Sequence, residues 1–173
     1  MGIPWLFVVD FSILTAMGIE IERKFLVHEG RWQPQQSGTK FMQGYLSVDP
    51  QRTVRVRLAG DRGFLTIKGE SRGSVRSEYE YEIPAIDAQE LLNTLTLPHI
   101  IVKTRYLEKV GRHTWEIDVF EQENAGLIMA EIELTDENDS FEMPAWAGKE
   151  VTEDKRYYNS SLSLHPYHSW KQS

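Results

Sequence analysis

Charged side chains recur two residues apart in this sequence, in short stretches that alternate with apolar residues. In the stretch 19–27, Glu20, Glu22 and Lys24 share one parity. The other parity carries the apolar residues Ile19, Ile21, Phe25 and Val27, together with Arg23. Side chains two apart on a β-strand lie on the same face, about 6.6 Å from each other. This spacing therefore gathers two carboxylates and an ammonium group at one surface of a strand.

The same pattern is repeated along most of the chain. Further same-face groups are Arg55 with Arg57, Thr66 with Lys68, Arg76 with Glu78, Glu80 and Glu82, Lys103 with Arg105, Glu116 with Asp118, and Glu131 with Glu133. Clustered arginines and lysines are suited to phosphate oxygens. Clustered carboxylates without His or Cys are hard oxygen ligands suited to Mg²⁺ or Mn²⁺. Together, these residue types indicate a site for a metal-bound polyphosphate.

The direction in which the charged faces point stays open at this level. An antiparallel sheet usually buries its apolar face and exposes its charges, so periodicity alone favours an outward orientation. Like charges on one face repel each other unless something compensates them, which speaks against that orientation. A dry charged lumen is excluded by the cost of burying unpaired ions, but a wide, hydrated lumen with mixed charges is allowed. Its apolar outer faces would need to be covered by helices, loops or a partner subunit.

Composition limits the class of protein. A chain of 173 residues with 40% apolar and 26% charged residues predicts one globular domain. The net charge of −7 argues against a nucleic-acid partner. The absence of cysteine excludes disulfides and thiolate metal sites, and suits the cytoplasm. The apolar stretch 3–14 is too short to span a membrane and lacks the features of a secretory signal.

Alternating stretches and turn signals predict a mainly β, α+β fold. Eight strands are expected at about 19–27, 39–47, 53–59, 63–69, 75–83, 102–110, 113–121 and 126–135. Eight antiparallel strands with tight connections favour a closed barrel. The few flanking helices include one capped by Asp87 over 86–98, with Leu91, Leu92 and Leu95 on its apolar side, and a C-terminal helix that begins at Thr152. The segment 136–148 is expected to be a polar loop anchored by Phe141 and Trp146.

The N-terminal stretch is treated separately from the domain. Residues 1–16 form either an additional strand or flap, or an extension translated from a start upstream of Met17. We favour the second interpretation because Met17 directly precedes the stretch 18–27. The functional domain is then expected to comprise residues 17–173.

The ordered set of motifs resembles the CYTH, or triphosphate tunnel metalloenzyme, superfamily, in its small single-domain bacterial type. The stretch EIERKFLV resembles the E-x-E-x-K signature of that superfamily. It is followed in order by QGYL, VRVR, LTIKG, RSEYEYEI, KTRY, EIDVF and AEIEL. The match ends at VTEDKRYYNSSL, which resembles the tail of the small bacterial members. The resemblance extends from about Gly18 to His165.

This resemblance implies an eight-stranded antiparallel tunnel whose charged faces point inward, and metal-dependent work on triphosphates. The implied metal ligands are Glu20, Glu22, Glu131 and Glu133, and Glu116 and Asp118 are either further ligands or ion-pair partners of Lys103 or Arg105. The implied phosphate ligands are Lys24, Arg55, Arg57, Lys68, Arg76, Lys103 and Arg105, with Arg156 reaching the tunnel mouth. Glu78 and Glu80 would position water or support the metal, as catalytic residues beside Glu20, Glu22 and Lys24. Tyr79, Tyr81 and Trp115 are expected to pack outside the lumen.

Within this superfamily, the short layout favours a substrate recognised through its phosphates alone. We therefore expect hydrolysis of inorganic triphosphate to pyrophosphate and phosphate with Mg²⁺ or Mn²⁺, and weaker activity on nucleoside triphosphates. Class IV adenylate cyclase, thiamine triphosphatase and a non-catalytic polyphosphate-binding module are the alternatives. The cyclases usually carry a His-Phe pair upstream of the signature, where this chain has TAMG. A homodimer would cover part of the apolar outer face.

Overall fold

The computed structural model describes residues 18–172, so the expectation for residues 1–16 lies outside the described part. The strands are β1 (Ile19–Val27), β2 (Thr39–Ser47), β3 (Arg52–Ala59), β4 (Arg62–Gly69), β5 (Val75–Ile83), β6 (Ile101–Val110), β7 (His113–Phe120), β8 (Ile128–Glu133) and β9 (Ala147–Glu150). The α-helices are α1 (Ala85–Thr94) and α2 (Asn159–Leu162). Short 3-10 helices lie at Gln122–Asn124, Lys155–Tyr157 and Tyr167–Gln172. The eight predicted strands and the mainly β character are confirmed.

Strands β1–β8 close into an antiparallel barrel. The hydrogen-bonded order is β5-β4-β3-β2-β6-β7-β8-β1, and β1 pairs with β5 to complete the ring. Strand β1 makes this closure with two parts of its length. Its beginning pairs with β5, with Glu20 opposite Arg76, and the remainder pairs with β8, with Glu22 opposite Glu133. The strand that carries the first charged triplet therefore joins the two edges of the sheet.

The apolar residues form layers outside the barrel rather than a central core. One cluster contains Phe25, Trp115, Ile132 and Trp146 and is covered by the chain that leads into β9. A second cluster packs against Leu162 of α2. In a third cluster, Ala88 and Leu92 of α1 pack against Val56 of β3. The orientation favoured by periodicity alone is therefore wrong, because these layers leave the inside of the barrel to the charged faces.

The connection after β8 is more structured than expected. Phe141 and Trp146 do anchor it, since both pack against the first cluster. Trp146 also donates a hydrogen bond from Nε1 to Glu108 at 3.0 Å. The expected loop ends early, however, because β9 begins at Ala147 and adds a short ninth strand to the edge of β1. An isolated four-residue strand carries too little periodicity to be recognised in sequence.

The helix predictions need correction. Helix α1 begins after Pro84 without a side-chain cap, so Asp87 lies in its first turn, where a carboxylate still favours the helix dipole. Leu95 lies beyond the helix and is 64% exposed. The continuous C-terminal helix is not formed, because Thr152 accepts a hydrogen bond from the Lys24 amide at 3.0 Å. Pairing of this segment with β1 takes the place of the expected cap.

None of the helices within residues 18–172 is long and apolar enough to cross a membrane.

Candidate active site

A polar cavity of about 220 Å³ lies inside the barrel, and each of the strands β1–β8 contributes to its wall. Its lining comprises Glu20, Glu22, Lys24, Tyr45, Thr53, Arg55, Arg57, Lys68, Arg76, Glu78, Glu80, Lys103, Arg105, Glu116, Glu131, Glu133, Tyr158, Asn159 and Ser160. Among the described residues, seven acidic and seven basic side chains line it. The cavity wall is therefore close to charge balance before any ligand enters.

Most of the implied metal-binding, phosphate-binding and catalytic residues reach this cavity, whereas Asp118 and Arg156 do not. Asp118 is completely buried behind the lining, where it holds Lys103 and Arg105. This position matches the alternative in which Asp118 orients cations rather than binding metal. Arg156 is 66% exposed in its side chain and pairs with Asp154 at 2.6 Å, so it lies outside the cavity. The C-terminal chain reaches the cavity through Tyr158, Asn159 and Ser160 instead.

The signature triplet on β1 is held in a chain of alternating charges. Lys24 donates to Glu131 at 2.6 Å and also pairs with Glu22 at 2.9 Å. Arg76 joins the two β1 carboxylates, with 2.6 Å from Nε to Glu20 and 2.6 Å from Nη2 to Glu22. Burial alone would lower the pKa of Lys24, but Glu131 and Glu22 outweigh it and raise that pKa above its usual value. Neighbouring opposite charges thus make a buried triplet of ions tolerable.

The arginine pair on β3 is only partly satisfied by protein groups. Arg57 donates from Nη2 to Glu80 at 2.8 Å, and Arg55 donates from Nη2 to Thr66 at 3.1 Å. The Nε–H groups of both arginines are buried and have no acceptor within the described part of the chain. Buried donors in folded proteins are nearly always paired. Two guanidinium donors of cavity-lining residues are therefore left unpaired by the described part of the protein.

Two cations of the wall have unusually low pKa values. Burial lowers the pKa of Arg57 to about 10, and the neighbouring charge of Arg55 adds to the effect. Burial likewise lowers the pKa of Lys103 to about 8, against the attraction of Asp118. A cation is disfavoured at these positions because local carboxylates do not fully compensate it. An anionic ligand would supply the missing compensation.

The opposite imbalance is found at Glu133. Burial and the charges of Glu20, Glu116, Glu78 and Glu22 raise the pKa of Glu133 to about 7. No ion pair joins Glu133 to any of the described cations, unlike the other carboxylates on β1 and β8. This local excess of negative charge fits a divalent cation with hard oxygen ligands. Residues 18–172 contain no group of three or more His, Cys, Asp or Glu side chains placed closely enough to hold a metal ion as they stand.

Sequence reasoning missed the neutral residues of the cavity wall. Tyr45 is 5% exposed and lies at the cavity, opposite Arg55 in the register of β2 and β3. The Oδ1 atom of Asn159 is buried without a hydrogen-bond donor among the described residues. Both residues lie within motifs that had been recognised, QGYL and the C-terminal tail. Their neutral side chains simply gave no charge pattern to follow.

As expected, Tyr79 and Tyr81 point outward and Trp115 is buried in the outer layer.

Comparison with known proteins finds a matching family and similar proteins. The model of the CYTH domain matches residues 18–166. An inorganic triphosphatase from Acetivibrio thermocellus is 47% identical over 156 residues, covering 90% of this chain and all of the relative. An inorganic triphosphatase from Nitrosomonas europaea is 38% identical over 152 residues, covering 84% of this chain and 97% of the relative.

Solved structures agree with this placement. The crystal structure of an inorganic triphosphatase is similar with a TM-score of 0.61 and 36% identity, covering 84% of this chain and 97% of that protein. A protein of known structure from Pyrococcus horikoshii is 22% identical with a TM-score of 0.51, covering 69% of this chain and 80% of its own. This second likeness concerns the fold alone.

The charge imbalance at Glu133 predicts a pH-dependent cost in stability. Above about pH 7 the ionised carboxylate is repelled in the folded protein, whereas in the unfolded chain it ionises near 4.5. The favourable state of the native protein, with Glu133 protonated, is therefore lost as the pH rises through 7. We expect Glu133→Gln to be more stable than the wild type at pH 8, with a gap that closes on acidification towards pH 4.5.

Urea unfolding of both proteins at several pH values, with chelator present, measures this gap. A matched control is Glu123→Gln, which changes an exposed carboxylate that pairs with His99 near the surface. A stability gap for Glu133→Gln that is the same at every pH would contradict the assigned repulsion.

Proposed function

The chain belongs to the CYTH domain family, and on this premise we propose that it hydrolyses inorganic triphosphate to pyrophosphate and phosphate with a divalent metal. The observation that carries the proposal is a closed barrel whose cavity, within residues 18–172, presents seven cations together with a carboxylate region in charge excess. This combination suits a compact polyanion that enters with its metal. The names of the relatives from Acetivibrio and Nitrosomonas support the same reaction.

The phosphates are proposed to bind the cations of the wall. Arg55 and Arg57 supply the unpaired Nε–H groups, and Lys24, Lys68, Arg76, Lys103 and Arg105 supply the remaining positive charges. Charge-assisted hydrogen bonds from guanidinium groups to phosphate oxygens are short and strong. These contacts hold the substrate and stabilise the charge of the leaving pyrophosphate.

The metal is proposed to be Mg²⁺ or Mn²⁺, held by Glu133 with Glu20, Glu22, Glu116 and Glu131 as the surrounding carboxylates. When bound, such an ion neutralises charge on phosphoryl oxygens and lowers the pKa of water. Glu78 and Glu80 keep Lys68, Arg55 and Arg57 in place through ion pairs, at 2.6 Å between Lys68 and Glu78. We assign them to the support of the phosphate-binding groups.

The substrate is proposed to be recognised without a nucleobase. Tyr45 and Tyr158 are the aromatic side chains among the described residues that line the cavity, and Tyr45 is buried within the wall. Tyr79 and Tyr81 lie on the outer surface, where they cannot stack on a bound base. Nucleoside triphosphates would therefore gain little beyond their phosphates and would have to fit a bulky group into the same cavity.

We expect purified protein to release phosphate from tripolyphosphate in the presence of Mg²⁺ or Mn²⁺, and more slowly from ATP at equal concentration. Chelator should abolish the release.

Substitutions in the cavity should separate two roles. Glu22→Ala should abolish turnover while circular dichroism shows an intact fold. Arg57→Ala should mainly raise KM, since it removes contacts made in both the ground and transition states. Glu123→Ala is the matched surface control.

Other outcomes of the same assay would favour other functions. Production of cyclic AMP from ATP without phosphate release would support the cyclase, and preference for thiamine triphosphate would support the thiamine enzyme. Binding of tripolyphosphate without turnover under any metal condition would refute the proposed hydrolysis and leave a binding module.

The ammonium form of Lys103 is proposed to bind a phosphate. In the free protein this form predominates below about pH 8, and above it the amine is neutral. The pH dependence of kcat/KM reports groups of the free enzyme. We expect kcat/KM for tripolyphosphate to fall as the pH increases through about 8, because a phosphate-binding charge is lost, and Lys103→Met to lose this fall together with most activity. A rate that rises steadily through the same interval would contradict this role.

We also propose that the protein forms a homodimer through an exposed apolar surface on β1, β4 and β5. Ile19, Ile67, Tyr79 and Tyr81 of this surface are between 40% and 56% exposed. Two-fold symmetric dimers are the commonest soluble oligomers and use one self-complementary patch. Light scattering after size exclusion should give twice the chain mass, and Tyr79→Glu with Tyr81→Glu should reduce it to the monomer. A monomeric wild type at high protein concentration would refute the dimer.

The cytoplasm is the proposed location, since the chain has no cysteine.

A further inference from the structure

Strand β2 contributes a neutral row to the charged lumen. Its inward residues include Phe41, Gln43 and Tyr45, which are 8%, 0% and 5% exposed. The strand lies between β3 and β6, and these neighbours supply cations from both sides. Phe41 is directly opposite Lys103 in the register of β2 and β6, and Gln43 is opposite Arg57 in that of β2 and β3.

The ring of Phe41 is surrounded by three cationic groups. The Cζ atoms of Arg57 and Arg105 lie 5.2 Å and 5.1 Å from the ring centroid. The Nζ atom of Lys103 lies 5.9 Å from the same centroid. All three distances are within the range of cation–π attraction, and the site is buried, where such attraction is strongest. One phenyl ring therefore contacts cations from two strands that do not pair with each other.

An aromatic ring has an advantage over a carboxylate at this place. A carboxylate would attract the same cations, but it would accept their N–H groups and compete with phosphate oxygens. A ring face attracts the charge and occupies none of the conventional acceptor directions in the guanidinium plane. The Nε–H of Arg57 does lack an acceptor among the described residues, although Glu80 accepts from its Nη2.

The position of the ring coincides with the shortage of compensating charge. Arg57 and Lys103 are the wall cations whose pKa values are lowered to about 10 and about 8. A neutral ring reduces the repulsion at this point without removing the demand for an anion. Asp118 already pairs with Lys103 and Arg105, and Glu116 with Arg105, so the ring adds a neutral contact beside these ion pairs.

From this geometry we propose that Phe41 is a positioning residue for the triphosphate. Its ring holds the cationic groups of Arg57, Arg105 and Lys103 together at the cavity wall, so that their positive charge faces the phosphates. This inference rests on the proposed function, since it concerns the same cavity and the same substrate. The competing possibility is that Phe41 only fills space in the wall.

Fluorinated phenylalanines at position 41 separate these two roles, because fluorine weakens the negative face of the ring with little change in volume. Wild type, 4-fluoro, 3,5-difluoro and 3,4,5-trifluoro variants would be compared with tripolyphosphate and Mg²⁺ or Mn²⁺. We expect KM to rise stepwise, reaching about threefold to tenfold for the trifluoro ring, from the usual strength of a buried cation–π contact. The kcat should stay within about twofold, because the contacts hold substrate in both ground and transition states.

The same substitutions at Phe141 provide the matched control. Its ring lies 5.1 Å from Cζ of Arg23, outside the cavity, so KM should be unchanged there. Circular dichroism and thermal unfolding of each variant would verify the fold. A KM that is constant across the series at position 41 would overturn the proposal and leave Phe41 with a space-filling role.

Calorimetry with tripolyphosphate keeps this test separate from the test of the reaction. If the wild type hydrolyses nothing, the proposed function fails, but the dissociation constant can still be measured across the series. A stepwise weakening of affinity would support the role of Phe41 regardless of turnover. A constant affinity would refute it.

Discussion

The compensation of buried charge governs this structure. Ions placed inside a barrel cost several kcal/mol each unless opposite charges and hydrogen bonds satisfy them. The described part of the chain meets this condition with seven acidic and seven basic residues around one cavity. The pairing of β1 with both β5 and β8 is essential to it, since the two halves of β1 bring Glu20 to Arg76 and Lys24 to Glu131. A one-residue shift of β1 would point its three charges into the apolar outer layer.

The acidic and basic residues of the cavity are equal in number but unevenly distributed. This uneven distribution determines which ligands suit the cavity. Too little negative charge surrounds Arg57 and Lys103, whereas too much negative charge surrounds Glu133. A triphosphate alone would satisfy the two cations and leave the balanced cavity with a large negative excess. A divalent metal alone would have the opposite effect. Binding of both together makes the negative excess smaller, because the divalent ion offsets part of the triphosphate's negative charge, and this gives a physical reason why a triphosphatase of this construction should depend on metal.

The sequence predicted the strands well because their two-residue alternation is long and regular. It did not determine which face points inward, since periodicity is the same for both orientations and ordinary sheets favour charges outside. The resemblance to the CYTH superfamily corrected this, and the apolar layers around Trp115 and Val56 explain how the outer faces are buried. The charged cavity residues followed from the same alternation. Asp118 and Arg156 could not be placed, because parity does not tell whether a charge lies at the wall, behind it or on a turn. Tyr45, Asn159 and Phe41 carry no charge, and their roles come only from their neighbours in space.

The central claim is that the metal and the triphosphate bind together inside the barrel, at charged side chains whose charge the protein itself does not fully offset. A crystal structure with Mn²⁺ and tripolyphosphate, or with a non-hydrolysable analogue, tests it most directly, because anomalous scattering locates the manganese. The predicted result is a manganese peak beside Glu133 and phosphate oxygens within hydrogen-bond distance of Nε of Arg55 and Arg57. Manganese and phosphate bound on the outer surface, with the ion pairs of the cavity unchanged, would contradict it.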